Sequence, residues 1–264
     1  MHPVLFRVGS LGVPSYGALL LAGLAAGTAL VLLRAPAGLS AHRVLELVAV
    51  TLVAGLVGAK LALVIRDPSL LTLSRLPGLV TAGGIFYAGL AAAALGLGIH
   101  ARRAGLGLRE TADLLAPALA LAESLARLGC LAAGCCHGRA TALPWAVVYT
   151  DPRAWLACGT PLGIGLHPVP LYLSLMALVL SLLLMGVGRL APAPGTVFGL
   201  YLLLHGLSRW GIDSLRGPSQ AAAWWPALAA VCAGLWLLAG RSRRPLKGWQ
   251  DAGSGEPHAP PQPT

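Results

Sequence analysis

The sequence predicts an all-α fold, a polytopic bundle of about seven transmembrane helices, and three observations carry that prediction. First, 56% of the 264 residues are hydrophobic and only 11% are charged, whereas a water-soluble domain carries roughly 25% charged residues. Second, the apolar residues fall into seven uninterrupted blocks of roughly 20 residues, the length that spans a hydrocarbon core as a helix. Third, the blocks lack the apolar–polar alternation of a membrane β-barrel, so strands are not expected. Mean hydropathy is +0.76. Seven such spans and short loops use most of the chain, so residues 1–248 are expected to form a single bundle.

The blocks are Leu11–Leu33, Val44–Ile65, Val80–Ile99, Ala112–Ala133, Pro168–Val187, Val197–Leu215 and Ala221–Leu238. The first is too long for the apolar core of a signal peptide and has little positive charge before it, which favours an uncleaved helix. The first and second are rich in small residues, as in Ala22-Gly23-Leu24-Ala25-Ala26-Gly27 and Ala54-Gly55-Leu56-Val57-Gly58, which let membrane helices approach closely. Between the fourth and fifth blocks lies a loop, 138–167, long enough to expect function in it. Residues 249–264 are polar and rich in proline, the composition of a disordered tail.

The net charge of +10 and the pI of about 10.1 have two readings, nucleic acid or membrane. No basic stripe with interleaved aromatics appears, so no nucleic-acid partner is expected. Loop arginines placed by the positive-inside rule and attracted to anionic membrane lipids account for the charge. Arg241, Arg243, Arg244 and Lys247 put the C-terminus in the cytoplasm and, with seven spans, the N-terminus outside. Ten basic residues then face inward and six outward.

Charges within apolar blocks need a partner, a wet cavity or a ligand. In the fourth block Glu123 precedes Arg127 by one turn, the favourable order for a helical pair. Either the two neutralise each other or Arg127 faces a lipid headgroup. In the sixth block Tyr201, His205, Arg209, Asp213 and Arg216 share one face. This stripe is either a structural ladder or, because arginine's planar fork suits a phosphate, a headgroup site at the outer boundary. Tyr16 opens the first block just after Pro14. Tyr87 follows Gly83-Gly84 in the third block, where its hydroxyl needs a partner.

The segment Arg127-Leu-Gly-Cys-Leu-Ala-Ala-Gly-Cys-Cys-His-Gly-Arg139 is the most unusual stretch. Cys130, Cys135, Cys136 and His137 crowd together, but their spacing matches no zinc knuckle. Small packing residues are the expected reading, with a metal site, or a disulfide from Cys130 or Cys135 to Cys158, as alternatives. Cys232 reads as packing.

Here the sequence resembles the prolipoprotein diacylglyceryl transferases. Pro14-Ser-Tyr16-Gly17 is similar to the start of the family's first helix. Gly83-Gly-Ile-Phe-Tyr87-Ala-Gly89 is similar to its third-helix motif, and Thr111-Ala-Asp113-Leu-Leu-Ala-Pro117 to the lead-in to its signature. Arg127, Gly129, Gly138 and Arg139 match the signature itself. His167-Pro168 with Tyr172 resembles the segment opening the fifth span. Arg209-Trp-Gly-Ile-Asp213-Ser-Leu-Arg216 resembles its Arg, acid, Arg pattern.

The resemblance implies transfer of a diacylglyceryl group from phosphatidylglycerol to the lipobox cysteine of a preprolipoprotein, with no cofactor and no metal, in a bacterial inner membrane, on the extracytoplasmic side. It implies catalytic roles for Arg127, Arg209 and Tyr87. It implies substrate binding by Tyr16, Gly129, Cys130, Gly138, Arg139, Tyr172, Asp213 and Arg216. Tyr87 stands where the family usually has histidine, Cys130 where it has asparagine, and Cys135 where it has glutamate. Pro170 and Leu173 stand at a usual Gln and Glu, and Asp213 at a usual Glu. The competing readings are a divergent relative with another acceptor, and a membrane thiol or metal protein built on the cysteine–histidine cluster. A small-molecule transporter, a third reading, would collect its polar groups at mid-membrane.

Overall fold

The computed structural model describes residues 4–8, 11–72, 85–190, 192–216 and 225–240. Among them are eight α-helices: α1 Ser15–Arg34, α2 Ala41–Arg66, α3 Phe86–Arg103, α4 Leu108–Ala133, α5 Pro152–Cys158, α6 Val169–Arg189, α7 Thr196–Asp213 and α8 Trp225–Ala239. Four of them, α1, α2, α4 and α6, are long and apolar enough to cross a membrane by length and composition; α8 is a shorter apolar helix. Part of the expected third and seventh blocks, and the tail expected to be disordered, lie outside the described residues.

The expectation of no strands is corrected. Strands β1 Val4–Val8 and β2 Leu11–Pro14 pair antiparallel, with Val8 opposite Leu11. The first helix therefore begins at Ser15 rather than Leu11. Pro14 is the physical reason: its ring disfavours helical backbone at Val13 and has no N–H to give a helical ladder. The loop 138–167 is also more ordered than its composition suggests. It contains α5 and a second antiparallel pair, β3 Val147–Val148 with β4 Gly165–Leu166. Asp151 caps α5, accepting from the Arg153 N–H at 2.9 Å, and Gly159 closes it with φ +67°.

The chain divides into two compact units. Of the described residues, 35–72 and 85–111 make one, and 4–8, 11–34, 112–190, 192–216 and 225–240 the other. In the smaller unit α2 packs on α3. A Cβ on Gly89 would lie 2.8 Å from the Gly55 carbonyl oxygen and 3.0 Å from the Ala59 Cβ, so these backbones nearly touch, as small residues allow.

In the larger unit the same device joins α1 to α4. Gly129 lies against Tyr16, Gly23 against Ala122 and Gly27 against Ala118, an order that makes the helices antiparallel. Ala116, Ala120, Leu180, Leu184 and Val197 form an apolar core among α4, α6 and α7. Ser124 and Ser174 hydroxyls lie 3.2 Å apart across α4 and α6, and the Ser181 hydroxyl donates to the Pro117 carbonyl at 2.8 Å.

A Cβ on Gly23 would sit 2.7 Å from the Ala122 carbonyl, against backbone that cannot yield. Gly23→Leu is expected to destabilise the fold by about 1–3 kcal/mol, the usual cost of overpacking. Thermal unfolding of the purified variant in detergent checks this; an unchanged midpoint would contradict the packing described.

Candidate active site

The site grows from α4 and α7 of the larger unit. Glu123 uses both carboxylate oxygens. Its Oε1 accepts from Arg127 Nε at 3.2 Å and Nη2 at 3.0 Å, and its Oε2 lies 2.8 Å from His205 Nε2 on α7. His205 stacks on Tyr201 with ring centroids 5.4 Å apart, and Tyr201 on Phe198 at 6.0 Å. The internal Glu–Arg pair is therefore present, and the same carboxylate also joins the two helices. Spacing along α4 shows the first contact; the second joins residues 82 positions apart and has no local signal.

One turn further along α7, Arg209 Nε donates to Asp213 Oδ2 at 2.8 Å. Arg216, just past the helix end, brings its Nε to 2.9 Å from Asp213 Oδ1. That approach is off the line of a hydrogen bond, so Arg216 Nε and Nη2 and Asp213 Oδ1 are all buried without a hydrogen-bond partner. The Arg216 side chain is only 8% exposed. Burial holds its guanidinium below the usual arginine range; Asp213 opposes that shift, and the positive fields of Arg209 and Arg127 add to it. Three guanidiniums thus share one electrostatic neighbourhood with two carboxylates, Glu123 and Asp213. One positive charge is left over, together with unused donors. Buried donors without partners are costly, and an anion with several acceptor oxygens would satisfy them.

The signature segment supports this neighbourhood through its backbone. The Gly138 N–H donates to the His167 carbonyl at 2.9 Å, the Arg139 N–H to the Leu215 carbonyl at 2.9 Å, and the His167 N–H to the Arg139 carbonyl at 3.0 Å. A Cβ on Gly138 would lie 2.8 Å from the Leu215 oxygen, so only glycine leaves room beside Arg216. The Arg139 side chain is exposed, and what the structure displays for this residue is backbone anchoring.

A Cβ on Gly129 would lie 3.1 Å from the Tyr16 Cα, and the Tyr16 side chain is 43% exposed. The Tyr172 hydroxyl accepts from Trp145 Nε1 at 2.8 Å. Tyr87 belongs to α3 in the smaller unit, and its side chain lies outside what the structure describes.

Cys130, Cys135 and Cys136 come together, their sulfurs all within 4.8 Å of one another. His137 Nδ1 instead lies 2.8 Å from the Gly138 carbonyl. The Cys135 thiol donates to the Cys130 carbonyl at 3.6 Å, and the neighbouring thiols, then Arg216 and Arg127, hold the Cys136 thiol below its ordinary range. Cys135 is raised correspondingly.

Asp113 is a structural residue whose contacts sequence reasoning did not find. Its Oδ2 accepts from the Gly195 N–H and its Oδ1 from the Phe198 N–H, both at 2.7 Å. Gly195, the N-cap of α7, offers no side-chain cap of its own, so α4 caps α7. Acid at a helix N-terminus also complements its dipole. Asp113→Ala is expected to cost about 0.5–2 kcal/mol, the range for losing a cap. Asp113→Asn, which keeps one acceptor, should lose less. Unfolding midpoints of the two variants check the order.

The family model described as prolipoprotein diacylglyceryl transferase matches residues 3–240. The chain is similar to the phosphatidylglycerol–prolipoprotein diacylglyceryl transferase of Clostridium tetani, 30% identical over 82% of this chain and 86% of that protein. It is similar to a second such protein, from Clostridium perfringens, 28% identical over 82% of this chain and 84% of the relative. A relative of the same name from Geobacter sulfurreducens is 29% identical over 83% of each chain.

Proposed function

The chain belongs to the prolipoprotein diacylglyceryl transferase family, and we propose from that premise that it moves a diacylglyceryl group from phosphatidylglycerol to the lipobox cysteine of a preprolipoprotein. The observation that carries the proposal is the buried Arg216 guanidinium, with unpartnered donors beside Arg209 and Arg127. A lipid phosphodiester is an anion of the size and hydrogen-bonding capacity that such a group requires.

In the reaction the cysteine sulfur attacks the glyceryl carbon. A carbon–sulfur bond forms while the carbon–oxygen bond to phosphate breaks, and the electron pair of that bond leaves on the phosphate oxygen. Glycerol phosphate departs and the thioether-linked lipid stays on the protein. Negative charge grows on the departing oxygen, and prearranged guanidiniums stabilise it more in the transition state than in the ground state. Arg209 and Arg127 stay oriented by Asp213 and Glu123, and Arg216 supplies the free donors. The thiol proton leaves before or during attack, because the thiolate is the nucleophile, and it passes to water or to the released phosphate monoester, whose second pKa is about 6.

Tyr16, Gly129, Cys130, Gly138, Arg139, Tyr172 and Asp213 are proposed to bind substrate or hold the binding groups. The catalytic role of Tyr87 rests on its match to the family's third-helix motif. A tyrosine pKa near 10 fits a hydrogen-bonding role at the thiol better than a base. Seven spans in a bacterial inner membrane, residues 1–248 as the membrane-embedded part, a cytoplasmic C-terminus and an extracytoplasmic site complete the reading.

Complementation tests it. In a bacterium depleted of its own transferase, the chain is expected to restore lipid attachment to a reporter lipoprotein, read as metabolic labelling and a gel shift. Stable membrane expression without any labelling would overturn the proposal.

A further inference from the structure

The three converging sulfurs border the arginine site, and the bond-making and bond-breaking described above uses none of them. Nothing in a diacylglyceryl transfer calls for three cysteines, and two of them occupy positions where the family usually has other residues. Their convergence depends on backbone geometry. After α4 ends, Gly134 turns with φ +79° and Cys136 with φ +58°. Cys136 is the one non-glycine residue with positive φ among the described residues, a conformation that L side chains seldom adopt. The turn is pinned: the Gly134 and Cys135 N–H groups both donate to the Cys130 carbonyl at 3.0 Å, and the Thr160 hydroxyl donates to the Gly134 carbonyl at 2.5 Å.

We propose that Cys130, Cys135 and Cys136 form a site for a soft, thiophilic cation of the Zn2+ class, with Cys158 as the fourth ligand. Three thiolates around one zinc, with Zn–S near 2.3 Å, stand about 3.8–4.0 Å apart. The observed limit of 4.8 Å closes to that with small side-chain rotations. Cys158, at the end of α5, is exposed and lies outside the three-sulfur group, so completing a four-coordinate site requires its side chain to turn inward. Thr160, two residues on, ties this segment to Gly134.

A second observation points to a ligand at the same place. Tyr149 is 1% exposed, its ring packs on Gly134, and its hydroxyl has no hydrogen-bond partner. A buried phenol next to three thiols gains an acceptor once those thiols become metal-bound thiolates. Thiolate ligands select soft cations over Mg2+ or Ca2+.

The test uses the full chain, purified in detergent under reducing conditions and dialysed against Zn2+. The expected result is about one Zn2+ per chain by elemental mass spectrometry, and a thiolate-to-metal ultraviolet band that saturates at one equivalent of Cd2+. Zn2+ should also shield Cys130, Cys135, Cys136 and Cys158, but not Cys232, from maleimide in the unaltered chain, mapped by peptide mass spectrometry. Cys136→Ser should weaken Zn2+ by more than the roughly 10–100-fold typical of outer-shell changes, while Cys232→Ser should keep full stoichiometry. Metal bound at well below one per chain, unshielded cysteines in the unaltered chain, or recovery of a Cys135–Cys158 disulfide in place of metal would each overturn the proposal.

Discussion

Arg216→Ala is expected to lower diacylglyceryl transfer by roughly 10²–10³-fold, the usual cost of removing one prearranged donor from a developing oxyanion. The expectation follows from the hydrogen bonds. Arg127 spends two donors on Glu123 and Arg209 one on Asp213. Arg216 pairs with Asp213 by charge, its Nε 2.9 Å from Oδ1, and keeps Nε and Nη2 buried outside any hydrogen bond, so its donors are the ones a phosphate would meet first. Because the charge they stabilise grows during carbon–oxygen cleavage, kcat should fall more than KM rises. Arg216→Lys keeps the charge but loses the fork, and should recover only part of the rate. Steady-state kinetics of the two variants check both statements. A rate within about twofold of the parent for Arg216→Ala would show that the group does not touch the reacting phosphate.

The largest structural effect is expected at Glu123. Its carboxylate holds Arg127 on its own helix and His205 on α7, with its side chain 18% exposed. Glu123→Ala removes both contacts and leaves the Arg127 guanidinium, 21% exposed, without a counter-charge. Breaking a buried pair in this way costs about 3–5 kcal/mol. Glu123→Gln keeps a hydrogen-bond acceptor and should be intermediate. His205→Ala leaves the Glu–Arg pair intact and should cost less than either. Unfolding in detergent gives the order, and activity at a temperature where each variant is folded separates stability from catalysis. A Glu123→Ala protein as stable as the parent would mean that the apolar contacts and the Asp113 cap suffice to hold α4 and α7 together.

Sequence reasoning reached what local spacing controls. The Glu123–Arg127 pair and the Arg209–Asp213–Arg216 stripe follow from a 3.6-residue period, and the structure contains both; the helical blocks follow from apolar length, and four helices among the described residues are long and apolar enough to span. It missed what depends on the chain returning to itself. The contacts of Glu123 with His205 and of Asp113 with the start of α7 join distant positions. Neither leaves a periodic trace.

The first helix was placed four residues early because hydropathy is blind to Pro14, whose ring ends the strand and frees the helix to start at Ser15. The three cysteines read as packing because their spacing fits no common metal motif. Their sulfurs meet only through a positive φ at Cys136, which nothing in the residue type announces. The charged residues of the candidate site are legible for the opposite reason: charges in an apolar block are rare, so each one stands out.

The most direct measurement incubates the purified protein with phosphatidylglycerol labelled in its acyl chains and a lipobox peptide, beside Arg127→Ala and Arg209→Ala. The account predicts label on the peptide cysteine with the parent chain and little with either variant. Label transferred equally well by all three proteins would contradict it.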